Sequence, residues 1–121
     1  MHLTIIAGAR PNFMKIAPII HEIERVKSNG KKLDYRLVHT GQHYDENMSG
    51  NFISQLQIPY PDINLECNRG TQSEQTANIM MAFEKDLIKN PTDLVIVVGD
   101  VNSTMACALT CLLYTSDAAD D

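Results

Sequence analysis

No apolar run in the chain approaches the ~20 residues that a membrane-spanning helix needs. The first residues, Met1-His2-Leu3-Thr4, lack the basic segment and long apolar stretch of a secretion signal. Cations are in the minority, with 10 Lys and Arg against 15 Asp and Glu. A formal charge of −5 and a pI near 5.2 argue against a nucleic-acid groove, which needs phosphate-neutralising residues in excess. An anionic ligand would therefore need a local cationic site rather than a basic surface. Cysteine is scarce: Cys67, Cys107 and Cys111 are odd in number and lack metal-ligand spacing, which fits reduced thiols in the cytoplasm and no metal site. Cys107 and Cys111 stand four apart in an expected helix and read as buried structural thiols. Two phosphate motifs are also missing. Gly8-Ala9-Arg10 does not continue as a dinucleotide fingerprint, and no Gly-Lys-Ser/Thr completes a P-loop, which weighs against NAD, FAD and ATP.

What is present is ordinary globular material: 121 residues, 44% apolar and 21% charged, enough for one domain with a modest core. Leu3-Thr4-Ile5-Ile6-Ala7-Gly8 reads as a short buried strand closed by glycine. Pro11 stands where a helix starts, and Phe13, Ile16, Ile20 and Ile23 recur on one helical face. Pro18 interrupts that face by removing a backbone donor and crowding the preceding turn, so a kinked helix and a turn followed by a second helix both fit. After Ser28-Asn29-Gly30, Asp34 to His39 alternates Tyr35, Leu37 and His39 as a second strand. Asp45 is placed to cap a helix carrying Met48, Phe52 and Leu56, and Ile63 and Leu65 mark a short third strand. Ser73, in a Ser-Glu-Gln-Thr run, is the expected start of a helix carrying Ile79, Ala82, Phe83 and Leu87, which Pro91 stops. Asp93-Leu94-Val95-Ile96-Val97-Val98-Gly99 is the clearest strand, and its unbroken apolar run predicts burial on both faces, as in a parallel sheet. Asn102 or Ser103 then caps a last helix through Leu113. Strands alternating with helices predict an α/β fold, a partial doubly wound parallel sheet.

In such sheets ligands bind at the carboxyl ends of the strands, where the strand order reverses. With the common order 3-2-1-4, that reversal lies between the first and fourth strands, at Gly8-Ala9-Arg10-Pro11-Asn12 and Gly99-Asp100-Val101-Asn102-Ser103. Arg10 can fork two donors onto a phosphate beside the unsatisfied amides of a helix start, and its position favours binding over a solvated surface role. Lys15 follows within about a turn, and reaching the same place or facing solvent are equally compatible with its spacing. Asp100 is a natural helix cap, but Asn102 and Ser103 are better placed for that, which leaves its carboxylate to face the crevice. Gln42 and His43 lie in the loop after the second strand; by residue type alone, a single loop histidine reads as solvated. His2, His21 and His39 read as structural or exposed, and Arg69 and Gln72 as members of a solvated polar loop.

Gly8-Ala9-Arg10-Pro11-Asn12-Phe13-Met14-Lys15-Ile16-Ala17-Pro18 resembles the first-strand signature of the non-hydrolysing UDP-N-acetylglucosamine 2-epimerases. Thr40-Gly41-Gln42-His43 resembles their second-strand loop, and Val98-Gly99-Asp100-Val101-Asn102-Ser103-Thr104 their fourth-strand loop. The position of Asn12 often holds an acidic residue in that family. The resemblance implies the amino-terminal part of a Rossmann-like domain, within an enzyme of two such domains similar to the GT-B glycosyltransferases. It implies inversion at carbon 2 of UDP-N-acetylglucosamine, by elimination of UDP to a 2-acetamidoglucal and re-addition after protonation on the other face. Arg10 would then bind the diphosphate, Lys15 would act catalytically beside it, and Asp100 would match a carboxylate with an acid/base role. Gln42 and His43 would line the active or a neighbouring regulatory nucleotide-sugar site. No metal or redox cofactor is implied, the expected partner is UDP-N-acetylglucosamine or UDP, and a full-length parent would be a homodimer.

The match covers residues 2 to about 110. From Cys111, and plainly in Tyr114-Thr115-Ser116-Asp117-Ala118-Ala119-Asp120-Asp121, the chain departs from the family pattern and resembles translated adapter sequence. Residues 1–110 are therefore expected to be family domain and residues 111–121 a foreign tail, the whole being a fragment that cannot epimerise alone. Two alternatives stand beside this: a hydrolysing relative that releases N-acetylmannosamine, and a stand-alone α/β module that binds nucleotide sugar without catalysis. A receiver-like signalling domain ranks far lower, because the acidic pair expected after its first strand is replaced by Gly8-Ala9-Arg10.

Overall fold

A computed structural model describes residues 1–41, 51–99 and 102–120. The elements alternate along the chain: β1 (His2–Ala7), α1 (Arg10–Ser28), β2 (Asp34–His39), α2 (Asn51–Gln55), β3 (Ile63–Asn64), α3 (Gln72–Lys89), β4 (Leu94–Ile96) and α4 (Asn102–Asp120). The strands form one parallel sheet in the order β3-β2-β1-β4. This is the order expected from the sequence, and its reversal falls between β1 and β4.

Alternation along β1 sets the two layers, because successive side chains of a strand point to opposite faces. Leu3, Ile5 and Ala7 face a core completed by Phe13, Ile16 and Ile20 of α1 and by Phe52 and Ile53 of α2. Ile6 faces the other way, into a core with Val38, Ile79, Phe83 and Leu87 and with Ala106 and Cys107 of α4. Helices thus cover both faces of the sheet, as a doubly wound chain requires. Cys67, Cys107 and Cys111 are free thiols attached to this second core; burial pushes the Cys107 thiol up, so the expected burial holds for Cys107, whereas Cys111 is only half-buried.

Four local expectations are resolved or corrected. Helix α1 runs unbroken through Pro18, whose ring lies on the exposed side, so the turn-plus-second-helix alternative is excluded. Helix α3 is capped by Thr71 rather than Ser73: the Thr71 hydroxyl accepts from the Glu74 amide, and the Glu74 carboxylate accepts from the Thr71 amide. Asn102 and Ser103 lie inside the first turn of α4, and their side chains point to other partners: Asn102 donates to Gln72, and Ser103 bonds Thr40. The expected last helix extends past Leu113 to Asp120.

The largest difference concerns β4. Its apolar run predicted burial on both faces, yet Leu94 is 49% exposed and Val95 to Val98 are only half-buried. The reason is topological. Strand β4 pairs with β1 alone and forms the edge of the sheet, so one side of it has no neighbour among the described residues. On the far side of the sheet, Arg36 of β2 forks onto Asp86 of α3 with two contacts of 2.9 Å, which docks α3 against the strands.

Candidate functional site

The carboxyl ends of the four parallel strands come together at one end of the sheet, where β1 leads into α1 and the β4 loop into α4. Gly8 is the pivot of this end. A side-chain carbon there would lie 2.3 Å from the Ser103 hydroxyl and 2.9 Å from that of Thr40, so only glycine lets the elements close. Thr40 and Ser103 are both buried, and their hydroxyls meet at 2.7 Å, tying the end of β2 to the start of α4 across the end of β1.

Asn12, 4% exposed, folds back over the turn that precedes it. Its Oδ1 accepts from the amides of Gly8 at 2.9 Å and Ala9 at 3.0 Å, and its Nδ2 reaches the Val98 carbonyl at 3.5 Å. Thr104 of α4 donates to the same Val98 carbonyl at 2.8 Å. Val98, just past β4 and two residues before Asp100, is thereby fixed to both α1 and α4.

This network changes the expected anion site. The amides of Gly8, Ala9 and Asn12 are bonded within the turn, Pro11 has none, and only that of Arg10 remains to face a ligand. Attraction for an anion at this helix start therefore rests chiefly on the Arg10 side chain, with the α1 dipole behind it. That side chain is exposed at the mouth of the site, with its guanidinium carbon 4.5 Å from the centre of the Phe52 ring. Among the described residues, no carboxylate or carbonyl oxygen takes its donors. Arg36 and Arg25, by contrast, are engaged by Asp86 and Glu22.

Lys15 is exposed on α1. Five residues on from Arg10 it lies about 140° further round the helix, so the two cations leave the helix in different directions. Asp100, Gln42 and His43 lie outside the described residues; the described backbone leads to them at Gly41 and Gly99.

His39 is buried at the end of β2, with its ring edge-on to Phe13 at 5.2 Å. Its Nδ1 lies 3.2 Å from both the Ala7 carbonyl and the Gly41 amide; a protonated Nδ1 donates to the first, and an unprotonated one accepts from the second. Burial pulls its pKa below the ordinary value, partly countered by the Ala7 carbonyl, which favours a neutral ring. Beside it, Gly41, Asn64, Glu66, Asn68 and Arg69 line an open depression of about 490 Å³ at the ends of β2 and β3. Arg69 is thus brought to the same end of the sheet as Arg10, which its place in a polar loop did not reveal. Among the described residues no group of three or more His, Cys, Asp or Glu is arranged to hold a metal ion, and no helix is long and apolar enough to cross a membrane.

Comparisons with known proteins bear on this geometry. The family model described as UDP-N-acetylglucosamine 2-epimerase matches residues 25–116. The UDP-N-acetylglucosamine 2-epimerase of Methanocaldococcus jannaschii is 40% identical over 98% of this chain, and the matched region is 31% of that protein. A UDP-2,3-diacetamido-2,3-dideoxy-D-glucuronate 2-epimerase of Pseudomonas aeruginosa is also 40% identical, over 90% of this chain and 30% of its own length. The crystal structure of the M. jannaschii enzyme in complex with UDP-GlcNAc and UDP superposes with a TM-score of 0.85 at 39% identity, covering 95% of this chain and 30% of that one. The chain therefore spans about three tenths of the length of these relatives.

Proposed function

The chain belongs to the UDP-N-acetylglucosamine 2-epimerase family, and we propose that it forms the amino-terminal part of an enzyme that interconverts UDP-N-acetylglucosamine and UDP-N-acetylmannosamine. The observation that carries this reading is Arg10: an exposed guanidinium, unengaged among the described residues, at the carboxyl end of β1 where the strand order reverses. A UDP-sugar presents its diphosphate to such a cation.

The chemistry gives each residue a task. The C2 hydrogen of the sugar is barely acidic, so its removal needs a placed base and stabilisation of the charge that gathers on the departing diphosphate. A base takes the C2 proton, the C1–oxygen bond to UDP breaks, and a 2-acetamidoglucal forms. Protonation of C2 on the opposite face and return of the UDP oxygen to C1 complete the inversion. Asp100 is assigned the acid/base role, Arg10 the diphosphate, and Gln42 and His43 the lining of the nucleotide-sugar site; Lys15, implied beside Arg10 by the resemblance, leaves α1 in another direction and is given no task here. The Asn12 and Thr104 contacts hold Val98, two residues before Asp100, and so fix the backbone that leads to it; the acid/base role itself rests on the resemblance. Neither a metal nor a redox cofactor enters this route, and free buried thiols fit a cytoplasmic setting.

The test is incubation of the protein expressed from its complete reading frame with UDP-N-acetylglucosamine in D2O. Deuterium at C2 together with UDP-N-acetylmannosamine is the expected result; release of free N-acetylmannosamine would replace this reading by the hydrolysing one. Absence of both would overturn it. The 121-residue chain by itself is expected to leave C2 unexchanged. A second sugar is favoured by the equal identity to the P. aeruginosa relative, so UDP-2,3-diacetamido-2,3-dideoxy-D-glucuronate belongs in the same assay.

A further inference from the structure

We propose that Phe52 is a positioning residue for the Arg10 cation, holding the guanidinium where a diphosphate can meet it. This rests on the reading of Arg10 given above and adds a residue that the motifs do not contain. The geometry is a ladder of rings. Arg10 lies over Phe52 at 4.5 Å, and Phe52 meets Phe13 edge-on at 6.5 Å and 81°. Phe13 meets His39 edge-on at 5.2 Å and 89°, and His39 is anchored at Ala7 and Gly41. Phe13 is fully buried and Phe52 is 6% exposed, so the last ring under Arg10 is held by packing on α1 and α2.

An arginine on a surface loses considerable rotamer entropy when a ligand fixes it. An aromatic face restricts the guanidinium plane through its quadrupole and by stacking, while the N–H edge stays free to fork onto an anion. Phe52 therefore supplies part of the ordering before the ligand arrives. A leucine in its place would fill much of the same volume without the ring.

Calorimetric titration of UDP into the protein from the complete reading frame tests this, using wild type, Phe52→Leu, Phe52→Tyr, Arg10→Ala and the Arg10→Ala/Phe52→Leu double variant. Phe52→Leu is expected to weaken UDP binding about two- to fivefold, the size of an exposed cation–π contact. Phe52→Tyr should restore it, and Phe52→Leu should cost nothing further once Arg10 is alanine. An equal loss in the Arg10→Ala background, or no recovery with tyrosine, would mean that Phe52 only packs, and the proposal falls. If Arg10→Ala binds UDP like wild type, the assignment of Arg10 falls first; if wild type binds no UDP, the nucleotide-sugar reading itself falls. A ligand-free measurement covers a leucine variant that does not fold: the δ-protons of Arg10 in wild type should be shifted upfield by the Phe52 ring current. Unshifted δ-protons would overturn the proposal on their own.

Discussion

Asn12 shows how much of the site depends on a single amide. It supplies an acceptor to Gly8 and Ala9 and a donor to Val98. Replacing it with alanine leaves buried amides without a partner, at a cost of about 1–3 kcal/mol. Asn12→Asp keeps the acceptors, makes them charge-assisted at the positive end of α1, and loses only the long contact to Val98. The aspartate variant is therefore expected to be more stable than the alanine variant in urea denaturation. The reverse order would show that the Val98 contact matters more than the turn. His39 gives a pH dependence of definite sign. Its folded pKa lies below the ordinary value of 6.5, so the unfolded chain binds the proton more readily. The neutral ring's contribution is complete above that value and is lost as the pH falls through 6.5 toward the folded pKa. Stability measured between about pH 5.5 and 7.5 should rise with pH, and His39→Asn should flatten the rise. An unchanged slope in that variant would remove His39 as its source.

At the scale of elements, one ion pair joins the apolar packing of Ile79, Phe83 and Leu87 in holding α3 to the sheet. Asp86 keeps 3% of its side chain exposed and Arg36 28%, so removing the arginine leaves a buried carboxylate with only the Asn90 amide, at 3.3 Å, for a partner. Arg36→Met is expected to cost about 2–4 kcal/mol, below the top of the range for breaking a buried pair because Arg36 is partly solvated. Adding Asp86→Leu should recover much of that loss, and a double variant no better than the single one would contradict this account. The elements also show what a sequence can carry. The bounds of β2 were readable because alternation and a glycine-bearing turn are local signals; the parallel sense followed from the βαβ alternation, while the order was the common one for such sheets. Pro18 was ambiguous because its local penalty is outweighed by the burial of Phe13, Ile16 and Ile20 around it. The Thr71 cap was missed in favour of Ser73, two residues on, although Thr71 and Glu74 already have capping-box spacing. At the strand ends, the place of Arg10 was legible because it directly follows the first strand and opens the helix after it. Phe52, beneath the Arg10 guanidinium, lies on another element and became visible only when α2 packed on α1.

For the molecule as a whole, the unbalanced feature is its apolar surface. Among the described residues the outer edge of strand β4 has no neighbour, and a groove of about 450 Å³ beside it is lined by Leu87, Leu94, Val95, Val97, Cys111 and Tyr114. Along α4, Met105, Leu109 and Leu112 recur at helical spacing and are 51%, 45% and 68% exposed. Exposed contiguous apolar surface and an open strand edge are both routes to self-association. The isolated 121-residue chain is therefore expected to show a mass by light scattering that grows with concentration, and to bind a dye that reports apolar surface. Two variants separate the routes. Leu94→Lys places a charge on the strand edge, whereas Leu109→Glu with Leu112→Glu breaks the helical stripe and leaves the edge intact. If the edge drives association, the lysine alone should restore a monomer; if the stripe does, only the glutamates should. A wild-type chain that stays monomeric through the concentration series, with a sharp reversible melt, would show that four strands and their helices already make a self-sufficient unit.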